Sequence, residues 1–269
     1  QELGGEIFVC PLPLYHIYAF TVNMVMLACS GNLNILIPNP RDLEAFIAAI
    51  KPFKFTGFAG LNTLFVGLCS QPEFHKLDFS ALKFTISGGT ALTQSAADVW
   101  MDVTGCSIAE GYGLSETSPV ISVNSFQRGI VFGSVGALID DVEVVIAEDG
   151  EILTKGPNLM LGYYNLTDVT AEAIDKDGWF HTGDIGEFIQ GKYLKITDRK
   201  KEIFKTSGGK YIIPQAMENK FKESRFFEQI LVMGESQRFP SALIVPNYAF
   251  IREWNNEKQY KLDIDTNEK

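Results

Sequence analysis

Cysteine is scarce in this chain: four in 269 residues, Cys10, Cys29, Cys69 and Cys106. No short metal-type spacing links them, which argues against zinc, and their low density excludes a disulfide scaffold. They read as reduced, intracellular core residues. Basic residues are also in deficit, 23 against 33 acids, for a formal net charge of −10. Such a chain repels polynucleotide phosphates, so no nucleic-acid partner is expected. A small anion is still accessible to a pocket of backbone amides with one or two cations. No apolar run reaches the ~20 residues of a membrane span. The longest, Ile17–Cys29, is broken by Thr21 and Asn23. The reading is a cytoplasmic chain, with peripheral contact at the inner face of a membrane left open. The amino terminus lacks a basic leader region and begins with Gln1, as expected of an excised or processed chain. No nucleophile–base pair, internal repeat or low-complexity run stands out.

What is present suits a globular protein of about two domains, with 46% hydrophobic and 21% charged residues. The first third alternates helices and strands. Ile17–Cys29 predicts a largely buried helix ended by Gly31, followed by a strand over Leu33–Ile37. Asp42 caps a helix with Leu43, Phe46, Ile47 and Ile50 on one face. Strands are predicted at Phe55–Ala59, Phe84–Ser87 and Ser107–Glu110, and helices opened by Asn62 and Thr93. This alternation predicts an α/β fold with a parallel sheet over residues 1–124. From 125 to 197 the pattern becomes β-rich, with hairpins at Asp149-Gly150 and Gly191. From 198 to 269 a small α+β region is predicted, with hairpin strands around Gly208-Gly209, a helix near Gln215–Lys222, two further strands and a frayed charged tail from Asn255.

Four segments could carry chemistry. Glu110-Gly111-Tyr112-Gly113-Leu114-Ser115-Glu116-Thr117 follows a predicted strand at its carboxyl end, where ligands of α/β sheets bind. Its glycines allow close backbone approach, and Tyr112 offers a face for stacking a base. Glu116 is a hard oxygen donor suited to Mg²⁺, and Ser115 and Thr117 supply hydroxyls. Ser87-Gly88-Gly89-Thr90 presents free amides between a strand and a helix. Asp184 of His181-Thr182-Gly183-Asp184 could accept two ribose hydroxyls. Asp198-Arg199-Lys200-Lys201, with Lys205, Ser207, Gly208, Gly209 and Lys210, forms a basic strip. Taken singly, each segment is equally a tight turn or a solvated face, and His181 alone reads as a packed histidine.

Taken in order, together with Pro13-Leu14-Tyr15-His16, Pro214 and Glu218, the segments form a more specific set. The chain resembles the adenylate-forming acyl-CoA synthetase family over nearly its whole length, and within it the bacterial long-chain fatty-acid CoA ligases. Pro11 to His16, Asn39-Pro40-Arg41-Asp42 and Asn62-Thr63-Leu64-Phe65 carry the finer match, which loosens from Asn219 onward.

The resemblance implies a large domain with a β-rich subdomain and the start of a carboxyl-terminal lid. It implies ATP/AMP, Mg²⁺, CoA and a fatty acid as ligands. Gly88, Gly89 and Thr90, with Glu110, Gly111 and Gly113 nearby, would lie along adenine, and Tyr112 would stack on it. Ser115 would approach phosphate and Glu116 would hold Mg²⁺. Asp184 would grip ribose, with Arg199 beside it. His16 would stand near the reacting carboxylate. Phe58, Ala59, Gly60, Leu61 and Asn62 would line the acyl pocket. Lys201 would be the lid hinge, and Ser207, Gly208, Gly209 and Lys210 would face CoA.

The family's phosphate loop ending in Pro-Lys and its adenylation lysine have no clear match here. The expectation is a fragment that is inactive alone and open to self-association through uncovered apolar surface. Two alternatives remain at this stage: an adenylating ligase for aryl or amino acids, and a non-catalytic nucleotide- or acyl-binding module.

Overall fold

A computed structural model describes residues 3–126, 129–200, 203–222 and 224–260. The chain divides into two compact units, Gln1–Ile196 and Thr197–Lys269.

The first unit begins with an α/β layer. Its strands are β1 (Ile7–Cys10), β2 (Leu33–Leu36), β3 (Gly57–Gly60), β4 (Phe84–Gly88) and β5 (Ile108–Gly113), ordered β2-β1-β3-β4-β5 and all parallel. The order reverses between β1 and β3. Such a reversal opens a crevice outside the carboxyl ends of the strands.

The helices α1 (Ile17–Ala19), α2 (Leu43–Ile50), α3 (Asn62–Cys69) and α4 (Gln94–Thr104) connect these strands. Asp42 accepts the Ala45 amide and Thr93 the Ala96 amide, so both predicted caps form. Asn62 does not cap α3. Its Oδ1 instead accepts the amide and hydroxyl of Thr93, at 2.9 and 3.1 Å, joining the starts of α3 and α4.

The predicted helix over Ile17–Cys29 differs in kind and in burial. After three α-helical residues it widens to a π-helix over Phe20–Leu27. Ala19, Asn23 and Leu27 are buried, whereas Phe20, Met24, Val25 and Met26 are exposed. A four-residue spacing of buried positions buries one face only.

The core of this layer is aromatic. Phe46, Phe55, Phe58, Phe65, Phe74 and Trp100 are enclosed in one cluster. Trp100 lies 5.0 Å from Phe58 and 4.9 Å from Phe65, both edge-on. Its indole N–H donates to Thr85 Oγ1 at 3.1 Å.

The same sheet continues with antiparallel strands. These are β6 (Val120–Val123), β7 (Gly136–Leu138), β8 (Glu143–Ile146), β9 (Glu151–Lys155), β10 (Phe180–Ile189) and β11 (Tyr193–Arg199), in the order β6-β7-β11-β10-β9-β8. Ile121, Val142, Ile152 and Leu194 form a second core. A helix the sequence reading did not mark, α5 (Thr167–Ala173), lies before β10. β10 is also longer than expected. The His181–Asp184 segment is no terminal turn but lies within this ten-residue strand, where the pairing with β9 shifts between His181 and Ile185.

The second unit holds β12 (Phe204–Lys205) paired with β13 (Tyr211–Ile212), α6 (Pro214–Lys222), and β14 (Phe227–Met233) paired with β15 (Ser241–Pro246). Of the tail expected to fray from Asn255, residues 255–258 are instead helical, in α7 (Tyr248–Lys258), capped by Asn247 through the Phe250 amide, and residues 261–269 lie outside the described residues.

Candidate functional site

Parallel strands place all their carboxyl ends on one edge. Glu110–Gly113 therefore shares an edge with Gly88 at the end of β4 and Gly60 at the end of β3. After Gly113 the chain makes a 3-10 turn over Ser115–Thr117 and returns as β6. Gly113 is required by contact: a Cβ there would lie 1.7 Å from the Pro119 carbonyl oxygen. Thr117 does not present its hydroxyl to a ligand, contrary to the sequence reading. It is fully buried, accepts the Leu114 amide and donates to the Pro119 carbonyl. Ser115 is exposed and Glu116 half-buried.

Two long-range hydrogen bonds define the site. The Tyr112 hydroxyl donates to Asp184 Oδ2 at 2.6 Å, across 72 residues. The Tyr163 hydroxyl donates to Glu116 Oε1 at 2.8 Å. Burial and then the Glu116 carboxylate push the Tyr163 hydroxyl above its ordinary pKa. Asp184 is buried at 4% exposure. A buried carboxylate needs donors, and Tyr112 is one.

The irregular stretch of β10 that carries Asp184 is held from the other side by Glu151, also buried. Glu151 Oε1 accepts the Gly183 amide at 3.0 Å, and Oε2 lies 3.1 Å from His181 Nδ1. His181 Nε2 is 4.0 Å from Asp175. The Trp179 amide holds the Asp175 carboxyl below the usual range. His181 is thus hydrogen-bonded but exposed, with 39% of its side chain open to solvent, and is not the packed histidine that the sequence suggested. Gly183 adopts φ +73°, which suits the irregular backbone at this point.

Glu110 is buried, and its Oε1 accepts the Leu92 amide at 3.0 Å. Burial pushes its carboxyl up to about 7. With Asn62 on Thr93, it ties down the end of the Gly88–Thr90 loop. Thr90 is exposed, and Gly89 has φ +81° with open space around it. Tyr18 of α1 donates from its hydroxyl to the Ile86 carbonyl at 2.9 Å, and its ring lies against Gly88. Burial raises that hydroxyl well above its ordinary range.

His16 is exposed and caps α1, its Nδ1 accepting the Tyr18 amide. The ring of Phe58 is enclosed in the aromatic core, and Ala59 is buried. Gly60 faces the Phe65 ring, Leu61 is half-buried, and Asn62 is engaged with Thr93. In this structure Phe58 is a packing residue.

The remaining expected residues belong to the second unit. Asp198 is buried and accepts the Arg199 amide at 2.7 Å, and Arg199 is exposed. Ser207, Gly208, Gly209 and Lys210 form an exposed turn between β12 and β13. Lys201 lies outside the described residues.

The sequence reading missed Tyr18, Glu151 and Tyr163. Each follows or joins a marked segment, but its partner is remote in sequence. Among the described residues no group of three His, Cys, Asp or Glu could hold a metal ion, and no helix is long and apolar enough to cross a membrane. One carboxylate still fits Mg²⁺, which commonly binds through one or two carboxylates with nucleotide phosphates and waters.

Residues 1–164 match the family of AMP-binding enzymes. The long-chain-fatty-acid–CoA ligase of Salmonella typhimurium is 38% identical over 241 residues, covering 86% of this chain and 43% of the relative. That of Haemophilus influenzae is 40% identical over 210 residues, covering 74% and 37%. The chain thus spans less than half the length of these relatives. An anthranilate CoA ligase solved with anthranoyl-AMP has a TM-score of 0.79 at 21% identity, over 97% of this chain and 54% of the other. The O-succinylbenzoate coenzyme A synthetase of Bacillus subtilis, solved with AMP, has a TM-score of 0.76 at 20% identity, over 96% and 55%. At these identities the two structures show the shared fold.

Proposed function

Because the chain belongs to the adenylate-forming acyl-CoA ligase family of AMP-binding enzymes, we propose that it supplies the adenosine side of a long-chain fatty-acid CoA ligase site. The observation that carries this reading is the 2.6 Å bond between Tyr112 and Asp184. It joins the residue expected under adenine to the residue expected on ribose, although 72 positions separate them. Fatty acid is the favoured substrate class, because the relatives are long-chain-fatty-acid–CoA ligases.

In the proposed reaction the fatty-acid carboxylate attacks the α-phosphorus of ATP. The bond to pyrophosphate breaks and an acyl-adenylate forms. The CoA thiol, losing its proton to solvent, then attacks the acyl carbonyl; the acyl C–O bond breaks, and AMP leaves with that bond's electron pair and the former carboxylate oxygen. Tyr112 stacks on the base, Asp184 accepts the ribose hydroxyls, and Ser115 faces phosphate. Glu116 would hold Mg²⁺, which neutralises phosphate charge during such transfers. Arg199 supplies a guanidinium for ribose or phosphate oxygens. Gly88–Thr90, Glu110 and Gly111 form the adenine edge. His16 and residues 59–62 mark the acyl side, Lys201 the hinge, and Ser207–Lys210 the CoA side.

Calorimetric titration of the chain with AMP tests the reading. Binding is expected, and Asp184→Ala should weaken it about tenfold or more through loss of charge-assisted hydrogen bonds. A folded chain that ignores AMP would falsify the proposal.

A further inference from the structure

Glu116 is held to a distant segment at more than one point. Asn158 Nδ2 donates to the Val120 carbonyl at 2.8 Å, and the Met160 amide donates to the Glu116 carbonyl at 2.7 Å. Tyr163 then reaches the Glu116 carboxylate itself. The Tyr163 backbone is fixed in turn, its amide donating to Thr170 Oγ1 at 2.9 Å. Thr170 Oγ1 donates onward to the Leu166 carbonyl at 2.8 Å. Segment 158–163 is therefore laced along the turn that carries Glu116, and the phenol sits at the end of a rigid chain of contacts. The phenol takes one carboxylate oxygen only. Among the described residues Oε2 of Glu116 has no hydrogen-bond partner and remains open.

We infer that Tyr163 is a positioning residue for Glu116, setting the carboxylate so that its free oxygen meets a divalent cation carried by the nucleotide phosphates. This rests on the AMP-binding reading above and adds to it a residue that neither the sequence motifs nor the expected ligand set contained. A glutamate side chain has three rotatable bonds, and ordering it on metal binding costs rotamer entropy. A donor that already fixes one oxygen removes much of that cost. It also orients the ligand, as outer partners of metal ligands do, with effects of about 10- to 100-fold on affinity. A phenol suits the task because it donates one hydrogen bond without bringing a charge to compete with the cation.

The test is the Mg²⁺ dependence of ATP binding to the chain, read by calorimetry, with AMP binding in chelator as the metal-free control. Tyr163→Phe keeps the ring and removes only the donor. It should raise the half-saturating Mg²⁺ concentration roughly tenfold and leave metal-free AMP affinity within about twofold. Glu116→Gln should raise the Mg²⁺ requirement at least as far. If Tyr163→Phe matches wild type in Mg²⁺, or loses AMP affinity to the same degree as MgATP affinity, Tyr163 has no positioning role. If Glu116→Gln leaves the Mg²⁺ requirement unaltered, the metal assignment of Glu116 falls and this inference falls with it. If wild type binds no AMP, the underlying site reading is what fails.

Discussion

Glu110 is a carboxyl group that folding prefers neutral. Burial opposes its charged form, whereas the Leu92 amide favours that form and recovers only part of the loss. Its folded value of about 7 lies above the ordinary 4.5. The sign follows directly: the raised group contributes its full stability below the unfolded value, and that stability is lost as pH rises through 7. The difference is on the order of 3 kcal/mol across the window from about 4.5 to 7. Glu110→Gln keeps an oxygen to accept the Leu92 amide and removes the titration. Thermal melts should therefore coincide for wild type and variant near pH 4, diverge as pH rises from about 4.5 to 7 and stay apart above it, with the variant melting higher. Parallel curves across that range would remove the buried-charge account. At this same scale the sequence showed which residue types belong to a site but not which ones touch. Glu110, Tyr112, Glu116 and Asp184 could be marked from motif and strand context. Tyr18, Glu151 and Tyr163 could not, because each acts on a partner 68, 32 or 47 residues away, and no local pattern encodes that pairing.

At the scale of elements, what local chemistry decides was legible. The parallel strands followed from apolar runs between helices, and the caps at Asp42 and Thr93 followed from side chains that reach an amide three residues on. What packing decides was not. The exposed face of the π-helix, the full length of β10 and the helical tail depend on neighbours that periodicity does not name. Asn62 shows the contest within a single residue: a good capping side chain was taken by Thr93 instead. The β5–β6 hairpin is the unit on which the site most depends, and the glycines at the end of β5 are unequal. A Cβ at Gly111 would meet its neighbours at 3.5 Å, an ordinary contact, whereas one at Gly113 would enter the Pro119 carbonyl at 1.7 Å. Gly113→Ala should therefore cost about 3 kcal/mol or more, whereas Gly111→Ala should be neutral or stabilise by up to about 1 kcal/mol, because its backbone suits any residue. Urea midpoints of the two variants separate these cases, and equal midpoints would show that the turn yields where it is drawn tight.

On the proposed reading the chain as a whole offers the adenosine side of a nucleotide site on its α/β layer, and the remaining chemistry makes different demands. Attack on the α-phosphorus spreads charge over oxygens that need cations and fixed donors around the departing pyrophosphate. The sequence reading found no counterpart here of the family's phosphate loop or its adenylation lysine, and the chain spans 43% of the Salmonella typhimurium relative. Binding and turnover should therefore come apart. The 269-residue chain is expected to hold AMP while giving no fatty-acid-dependent exchange of labelled pyrophosphate into ATP. A protein extended to the full length of its relatives should show that exchange, and Asp184→Ala should depress it in step with the loss of AMP affinity, because both depend on the same ribose contacts. Exchange by the short chain alone would mean that its own residues already neutralise the leaving group. The expectation of an incomplete catalytic site would then be wrong even though the adenosine contacts were right.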